Sequence, residues 1–357
     1  MVFPRRLAAM TAALMVSSAF GWGSHGHRVI TMLALDGLPP DAPAWLRDAE
    51  IRKRIAFQSN EPDRWRGWRA PALGHANNPD HYLDMELLAQ FGLTLESVPP
   101  LRYEYLRTLA IAKHEHPENV DPYDAAKDAE RAKEWPGFAL HAMQEHYVKL
   151  QSCFHQIRII EQLNEPRRAF QLTQLRENAV YHMGMLSHFV GDIGQPLHTT
   201  KHFNGWVGEN PAGYTTSTRF HPYIDSGVLE KHGLTYESVK PAVTYSVTVN
   251  AADPWDDLLA YFRGSFERVE PLYQLERDGL LDQDAGRAFI VRCLADASAM
   301  LSALYWGAYA SSAPTAEQVA TWVRYDGIDA PPPAAATAPH PSSAPARGAA
   351  AGSPPEP

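Results

Sequence analysis

Leu186-Ser187-His188-Phe189-Val190-Gly191-Asp192-Ile193-Gly194-Gln195-Pro196-Leu197-His198 is the stretch on which the reading of this chain turns. It closes a window from Leu175 to Ile193 whose apolar residues recur at helical spacing. His188 and Asp192 are four residues apart, so a helix projects both from one face, about 6 Å apart along its axis. Pro196 should end that helix and turn His198 back toward it. The same spacing recurs in His221-Pro222-Tyr223-Ile224-Asp225. One such pair alone reads as a helix salt bridge or a solvated face. Two pairs flanking a third histidine, all within 38 residues, read as a divalent-metal signature. Imidazole and carboxylate together suit zinc.

Helical periodicity extends outward from this segment. Tyr103 to Ala112, His141 to Leu163 and Ala285 to Ala310 show it as well, the last with the broad apolar face of a buried helix. Strand-like alternation is confined to short pieces such as Val243 to Val249. Pro/Gly-rich connectors at 71–80, 194–214 and 326–333 read as long loops. The expected fold class is all-α. One mainly helical domain over 22–325 precedes a Pro/Ala-rich tail at 326–357, which has almost nothing to bury and is expected to stay disordered.

The 357 residues are 45% hydrophobic and 20% charged, ample for a sizeable core. Two cysteines, Cys153 and Cys293, exclude a four-cysteine zinc site and permit either one bridge or two buried thiols. A net charge of −9 leaves no basic surplus for wrapping duplex DNA. Met1 to Gly21 has a secretory leader's three parts: Arg5 and Arg6, an apolar run, and Ala19-Phe20-Gly21 before the cut. Cleavage there makes Trp22 the first residue and moves the charge from −9 to −11. The processed protein is expected to be soluble, without a stable membrane anchor, monomeric, and secreted or periplasmic. Gly21-Trp22-Gly23-Ser24-His25-Gly26 mimics a dinucleotide-binding glycine motif, but no strand precedes it and cleavage removes its first glycine.

Sixteen histidines are present, and three further candidate ligands lie upstream. His27 follows the predicted cut. Asp63 sits in Glu61-Pro62-Asp63-Arg64-Trp65-Arg66, and His81 in Pro79-Asp80-His81-Tyr82-Leu83-Asp84. Each alone reads as a loop residue. In order, Trp-Gly-x-x-Gly-His, Asp-x-x-Arg, His-aromatic-x-Asp, His-Phe-x-Gly-Asp-x-x-Gln-Pro-Leu-His and His-x-x-x-Asp resemble the zinc-dependent single-strand nucleases of the S1/P1 type. Those nucleases share a helical fold with bacterial zinc-dependent phospholipases C. The matching residues run from Trp22 to Asp225, and the fold would cover most of 22–310.

The resemblance implies three Zn2+ ions. Asp63, His81, His188 and Asp192 would hold one. Asp192 would bridge to a second, bound also by His27 and by the amino nitrogen and carbonyl oxygen of Trp22. His198, His221 and Asp225 would hold the third. Asp63, Arg66 and Asp192 would be the catalytic residues, with metal-activated water attacking phosphorus and Arg66 neutralising the charge that develops. Tyr82 would stack a base and Asp84 would bond its edge.

The expected activity is hydrolysis of single-stranded DNA or RNA, with nucleotide 3′-phosphates as further substrates. The alternatives are a phospholipase C acting on lipid head groups and a non-catalytic extracytoplasmic zinc-binding protein. Three departures from the family pattern bear on substrate. Thr199-Thr200-Lys201 replaces the usual Gly-Gly-Asn run, Ile224 replaces a Trp, and the 107 residues from His81 to His188 suggest an inserted helical hairpin.

Overall fold

The computed structural model describes residues 22–68 and 70–326. The expected leader over 1–21, and the tail from 327 on, lie outside them. The chain divides after Ala313 into a helical body and a short second unit. The body opens with α1 (Ser24–Asp36), α2 (Ala49–Gln58), α3 (Glu61–Arg66), α4 (Pro71–Asn77), α5 (Arg102–Glu115), α6 (Ala139–Leu163) and α7 (Ala169–Gly194). A broken helical run follows: α8 (Phe220–Pro222), a π turn over Tyr223–Gly227, and α9 (Val228–Lys231). Then come α10 (Tyr236–Val239), α11 (Trp255–Phe266), α12 (Val269–Arg277) and α13 (Asp284–Ala310). The second unit carries α14 (Ala316–Asp326). Among the described residues there is no β-strand, only a lone bridge between Leu83 and Gly137. The protein is all-α.

The four periodic windows fall within α5, α6, α7 and α13. α7 is the central element and packs against α6, α13, α2 and α1. Every residue from Met183 to Gly194 in it is buried, so its second half has no solvent face on which to place a charge cheaply. Gly184 and Gly191 lie two turns apart on this helix and allow close approach. A Cβ on Gly184 would stand 2.2 Å from Gln58 Cβ, and one on Gly191 would stand 2.7 Å from His27 Nδ1. α13 is long and apolar enough to cross a membrane, yet 78% of its apolar window is buried inside the body, the environment of a core helix. Cys153 on α6 and Cys293 on α13 are both free and buried.

Three expectations need correction. Residues 71–80 are helical rather than a loop, because Pro71 occupies the first turn of α4, where its missing N–H costs nothing. A 3-10 turn over Asn78–His81 continues directly from it. The alternating piece Val243 to Val249 forms no strand. No neighbouring strand completes a ladder, and the Tyr245 hydroxyl donates instead to the α1 oxygen of Leu33 at 2.6 Å. The 107 residues from His81 to His188 hold α5 among short 3-10 turns, then α6 and most of α7, which pack on each other. α5 has a supporting role: Arg102 binds Asp80 and Glu145, each at 2.6 Å, fixing α5 and α6 to the turn that carries His81. Finally, the segment from His221 to Asp225 is not one regular helix: His221 lies in α8 and Asp225 in the π turn that follows. Single π turns of this kind occur often at functional sites.

Candidate metal centre

Asp192 lies in the last turn of α7, wholly buried, and its two oxygens face different partners. Oδ1 is 3.4 Å from His27 Nε2 on α1, and Oδ2 is 2.9 Å from His81 Nδ1 and 3.2 Å from His188 Nε2. Asp63 on α3 approaches from the other side, its Oδ1 4.0 Å from His188 Nε2. Five side chains from four separate segments thus converge. Their ligand atoms form two overlapping groups, His27 with Asp63 and His188, and His81 with His188 and Asp192. The resemblance divides these five differently, placing Asp63 with His81. His188 stands at the overlap, stacked on His27 with ring centroids 4.3 Å apart and edge-on to His81.

A third group joins His198, His221 and Asp225. His198 Nε2 faces His221 Nε2 at 3.1 Å, and His221 Nε2 lies 3.4 Å from Asp225 Oδ1. The order of elements explains this placement. α7 ends at Gly194, Pro196 starts a 3-10 turn, and that turn carries His198 back toward the helix end. The segment just before α1 is stitched to the same group, since Gly23 N–H donates to the main-chain oxygen of Asp225 at 2.8 Å. Trp22 is buried beside it, its main-chain oxygen accepting from His27 N–H at 3.3 Å.

Hydrogen bonds behind the ligands set their tautomers. His188 Nδ1–H donates to Ser59 O at 2.8 Å, and His198 Nδ1–H to His81 O at 2.7 Å. A carbonyl only accepts, so both rings carry the proton on Nδ1 and turn an Nε2 lone pair into the centre. The Asn77 amide bridges Pro62 O at 3.0 Å and His81 Nε2 at 3.1 Å. Gln195 donates to Asp225 Oδ1 at 2.8 Å. Thr31 donates to His27 O and accepts from Ser187, each at 2.7 Å, locking α1 to α7 one turn from the ligands. Ser59, Asn77 and Gln195 are the supporting residues that sequence reasoning missed. Only Gln195 lies in a quoted motif.

The electrostatics are those of a site built for positive charge. Burial pushes the Asp192 carboxyl up, but the imidazoles of His188 and His198 outweigh it and hold the group well below the carboxylate range. Burial lowers His188, yet Asp192 and Asp63 reverse that and raise it. Burial drives His27 down, with His188 adding to the effect, and takes His81 down to about 4 against the pull of Asp192. His221 is driven well below its usual value by burial and by His198, while burial lifts Asp225 well above its own.

Several buried atoms here have no hydrogen-bond partner: Asp63 Oδ1, Asp192 Oδ1, Asp225 Oδ2 and both nitrogens of His27. Leaving buried polar atoms unsatisfied costs about 1–3 kcal/mol each. Neutral imidazole nitrogens and carboxylate oxygens are also the donor types zinc takes. The residues therefore fit a bound cation.

The remaining predicted residues are Arg66, Tyr82 and Asp84. Arg66 is 18% exposed, its guanidinium 3.7 Å from Asp63 Oδ1. Tyr82 is half-buried and donates its hydroxyl to Ala132 O at 3.1 Å. Asp84 is buried with Oδ1 unpartnered, and burial together with Glu86 raises its carboxyl well above the usual range.

Comparison with curated proteins finds no matching relative. Residues 22–265, by contrast, match the S1/P1 nuclease family model. That span starts at Trp22, ends in α11, and contains every residue of the three groups. It makes the chain a member of the S1/P1 nuclease family, and so a nuclease.

Proposed function

We propose that this nuclease is a secreted or periplasmic zinc-dependent phosphodiesterase that cleaves single-stranded DNA and RNA, with 3′-nucleotides as a second class of substrate. Three Zn2+ ions are assigned: one to Asp63, His81, His188 and Asp192, one to His27, Asp192 and the Trp22 main chain, one to His198, His221 and Asp225. The observation that carries the reading is the facing of both Asp192 oxygens by imidazoles of separate segments, at 2.9 to 3.4 Å. When bound, zinc supplies Lewis-acid charge and lowers the pKa of water toward 7.

The protein's own groups do the rest. Asp192 and Asp63 would supply the carboxylate oxygens that keep the cations at the centre. Arg66, partly exposed beside Asp63, has a planar fork of N–H donors that suits phosphate oxygens, and it would neutralise charge on the phosphoryl group in the transition state. The Asp63 carboxylate, 3.7 Å away, orients that fork. Tyr82 and Asp84 receive the base next to the scissile phosphate, the ring by stacking and the carboxyl by bonding the base edge. Burial and the neighbouring Glu86 raise the Asp84 carboxyl above its usual range.

The test is hydrolysis by the zinc-loaded, processed protein of single-stranded DNA, RNA, duplex DNA and phosphatidylcholine vesicles. Faster cleavage of single strands than of duplex is expected. Lipid cleavage without nucleic acid cleavage overturns the reading.

A further inference from the structure

The rim of the centre carries a residue that none of these roles uses. Between α3 and α4 the sequence runs Arg64-Trp65-Arg66-Gly67-Trp68-Arg69, three cations interleaved with two indoles in a chain of net charge −9. The two tryptophans are spent differently. Trp65 packs on the core and donates its indole N–H to Glu61 at 2.9 Å. Trp68 is 77% exposed, and its indole has no hydrogen-bond or ring partner among the described residues. Its backbone is held all the same. Gly67 N–H and Trp68 N–H close the end of α3 on Arg64 O and Trp65 O, each at 3.1 Å. An exposed ring stands on a fixed stem.

Its place follows from the chain on either side. Arg66, whose guanidinium faces Asp63 at 3.7 Å, is two residues away, so the two backbones lie within about 8 Å of each other. Beyond the segment, Asn77 at the end of α4 is bonded to both Pro62 O and His81. Residues joining α3 to α4 therefore border the centre. Arg64 already lies over the exposed Phe57 ring at 4.0 Å, so this rim pairs guanidinium with aromatic surface once before Trp68 is reached.

Single-stranded nucleic acid binds where bases find aromatic faces and phosphates find cations. Resting on the nuclease reading above, we propose that Trp68 is the stacking platform for a base flanking the scissile phosphate, with the segment's arginines attracting the strand. Tyr82 does not duplicate this role: half-buried, with its hydroxyl tied to Ala132 O, it takes the base beside Asp84, whereas the exposed Trp68 takes a further base at the rim. A base on Trp68 extends the bound strand across the rim, so longer substrates gain where a minimal diester does not.

The experiment compares wild type, Trp68→Ala and Trp68→Phe, as zinc-loaded full chains, on a short oligothymidylate and on bis(p-nitrophenyl) phosphate. Trp68→Ala is expected to raise KM for the oligothymidylate, relative to KM for the small diester, by about fivefold to a hundredfold, with kcat carrying little of the loss. Trp68→Phe restores most of it. An unchanged KM ratio in Trp68→Ala overturns the proposal. So does equal affinity of chelator-treated wild type and Trp68→Ala for a fluorescent oligothymidylate, read by anisotropy without turnover. Failure of the nuclease reading looks different: wild type itself then neither binds nor cleaves the oligothymidylate, and the stacking role falls with it.

Discussion

His198 donates its Nδ1–H to the main-chain oxygen of His81 at 2.7 Å, across 117 residues of sequence. Leu83 N–H returns the link by donating to His198 O at 3.1 Å. The two histidines belong to different ligand groups, so these bonds join the groups into one frame and fix the His198 tautomer at once. Asp192 faces the imidazoles of His27, His81 and His188 through its two oxygens. His198 serves one group alone.

That difference predicts unequal losses of metal. Asp192→Asn should lower bound zinc by more ions per chain than His198→Ala. It should cut kcat/KM by more than about a hundredfold, since even residues supporting a ligand are worth 10–100-fold. Helical content is expected to survive, because the substitution keeps the shape of the side chain. Elemental analysis, circular dichroism and kinetics check this, and near-normal turnover of Asp192→Asn would remove the shared-ligand scheme.

Asn77 tests the layer behind the ligands. Its amide is the contact that fixes the far nitrogen of His81 while holding Pro62 O. Asn77→Ala should weaken zinc binding about 10–100-fold with the ligands themselves intact. Competition with a chromogenic chelator measures it, and wild-type affinity would show that the bond to His81 is incidental.

What was readable beforehand follows from what leaves a pattern. The helices α5, α6, α7 and α13 are legible because apolar side chains repeat at the helical period over more than two turns. His188, Asp192 and His198 are legible through spacing, since four residues on a helix and a proline stop dictate direction. Asn77 and Ser59 are not: an amide looks like any loop residue, and the oxygen that His188 uses on Ser59 belongs to the main chain, whose chemistry is the same at every position. Val243 to Val249 misleads for the opposite reason. Its alternation is genuine, but a strand needs a partner and none lies alongside.

Processing at the predicted site is a further prediction. Trp22 is buried, its main-chain oxygen accepts from His27 N–H and Gly23 bonds to Asp225 O, so cleavage before Trp22 would leave the new terminus beside the centre. A main-chain amine ligates a metal only as a free terminus. The secreted protein should begin at Trp22 by mass spectrometry, and one added residue before it should reduce both zinc content and rate. Unchanged stoichiometry in the extended protein would exclude the amine as a ligand.

The two glycines of α7 predict separable effects. A methyl at Gly184 would press on Cβ and backbone atoms of Gln58 at 2.2 to 3.0 Å, with nothing flexible to give way. Gly184→Ala should destabilise the fold by about 1–3 kcal/mol through overpacking. A methyl at Gly191 meets the His27 ring at 2.7 Å, so Gly191→Ala should displace a ligand and depress zinc affinity. Denaturation of the metal-free proteins and metal titration separate the two, and equal zinc affinity in Gly191→Ala and wild type would contradict the second.

A pH-dependent contribution is expected away from the metal centre, at Asp36. This residue ends α1 and binds Arg52 on α2, Tyr236 on α10, and Lys240 at 3.1 Å. Burial raises its carboxyl, but the bonds from Tyr236, Arg52 and Lys240 prevail and hold it below the usual value. A group depressed on folding adds stability above its unfolded pKa, about 3.9, and loses it as the pH falls through the lower folded value. Asp36→Asn should therefore cost about 1.5–3 kcal/mol at pH 7, the range for hydrogen bonds to charged groups. The gap from wild type should begin to close only below about pH 4. Urea denaturation of metal-stripped wild type and Asp36→Asn across this range measures it. A gap that stays constant down to pH 2 would mean that the carboxylate charge contributes nothing and only the shape of the side chain matters.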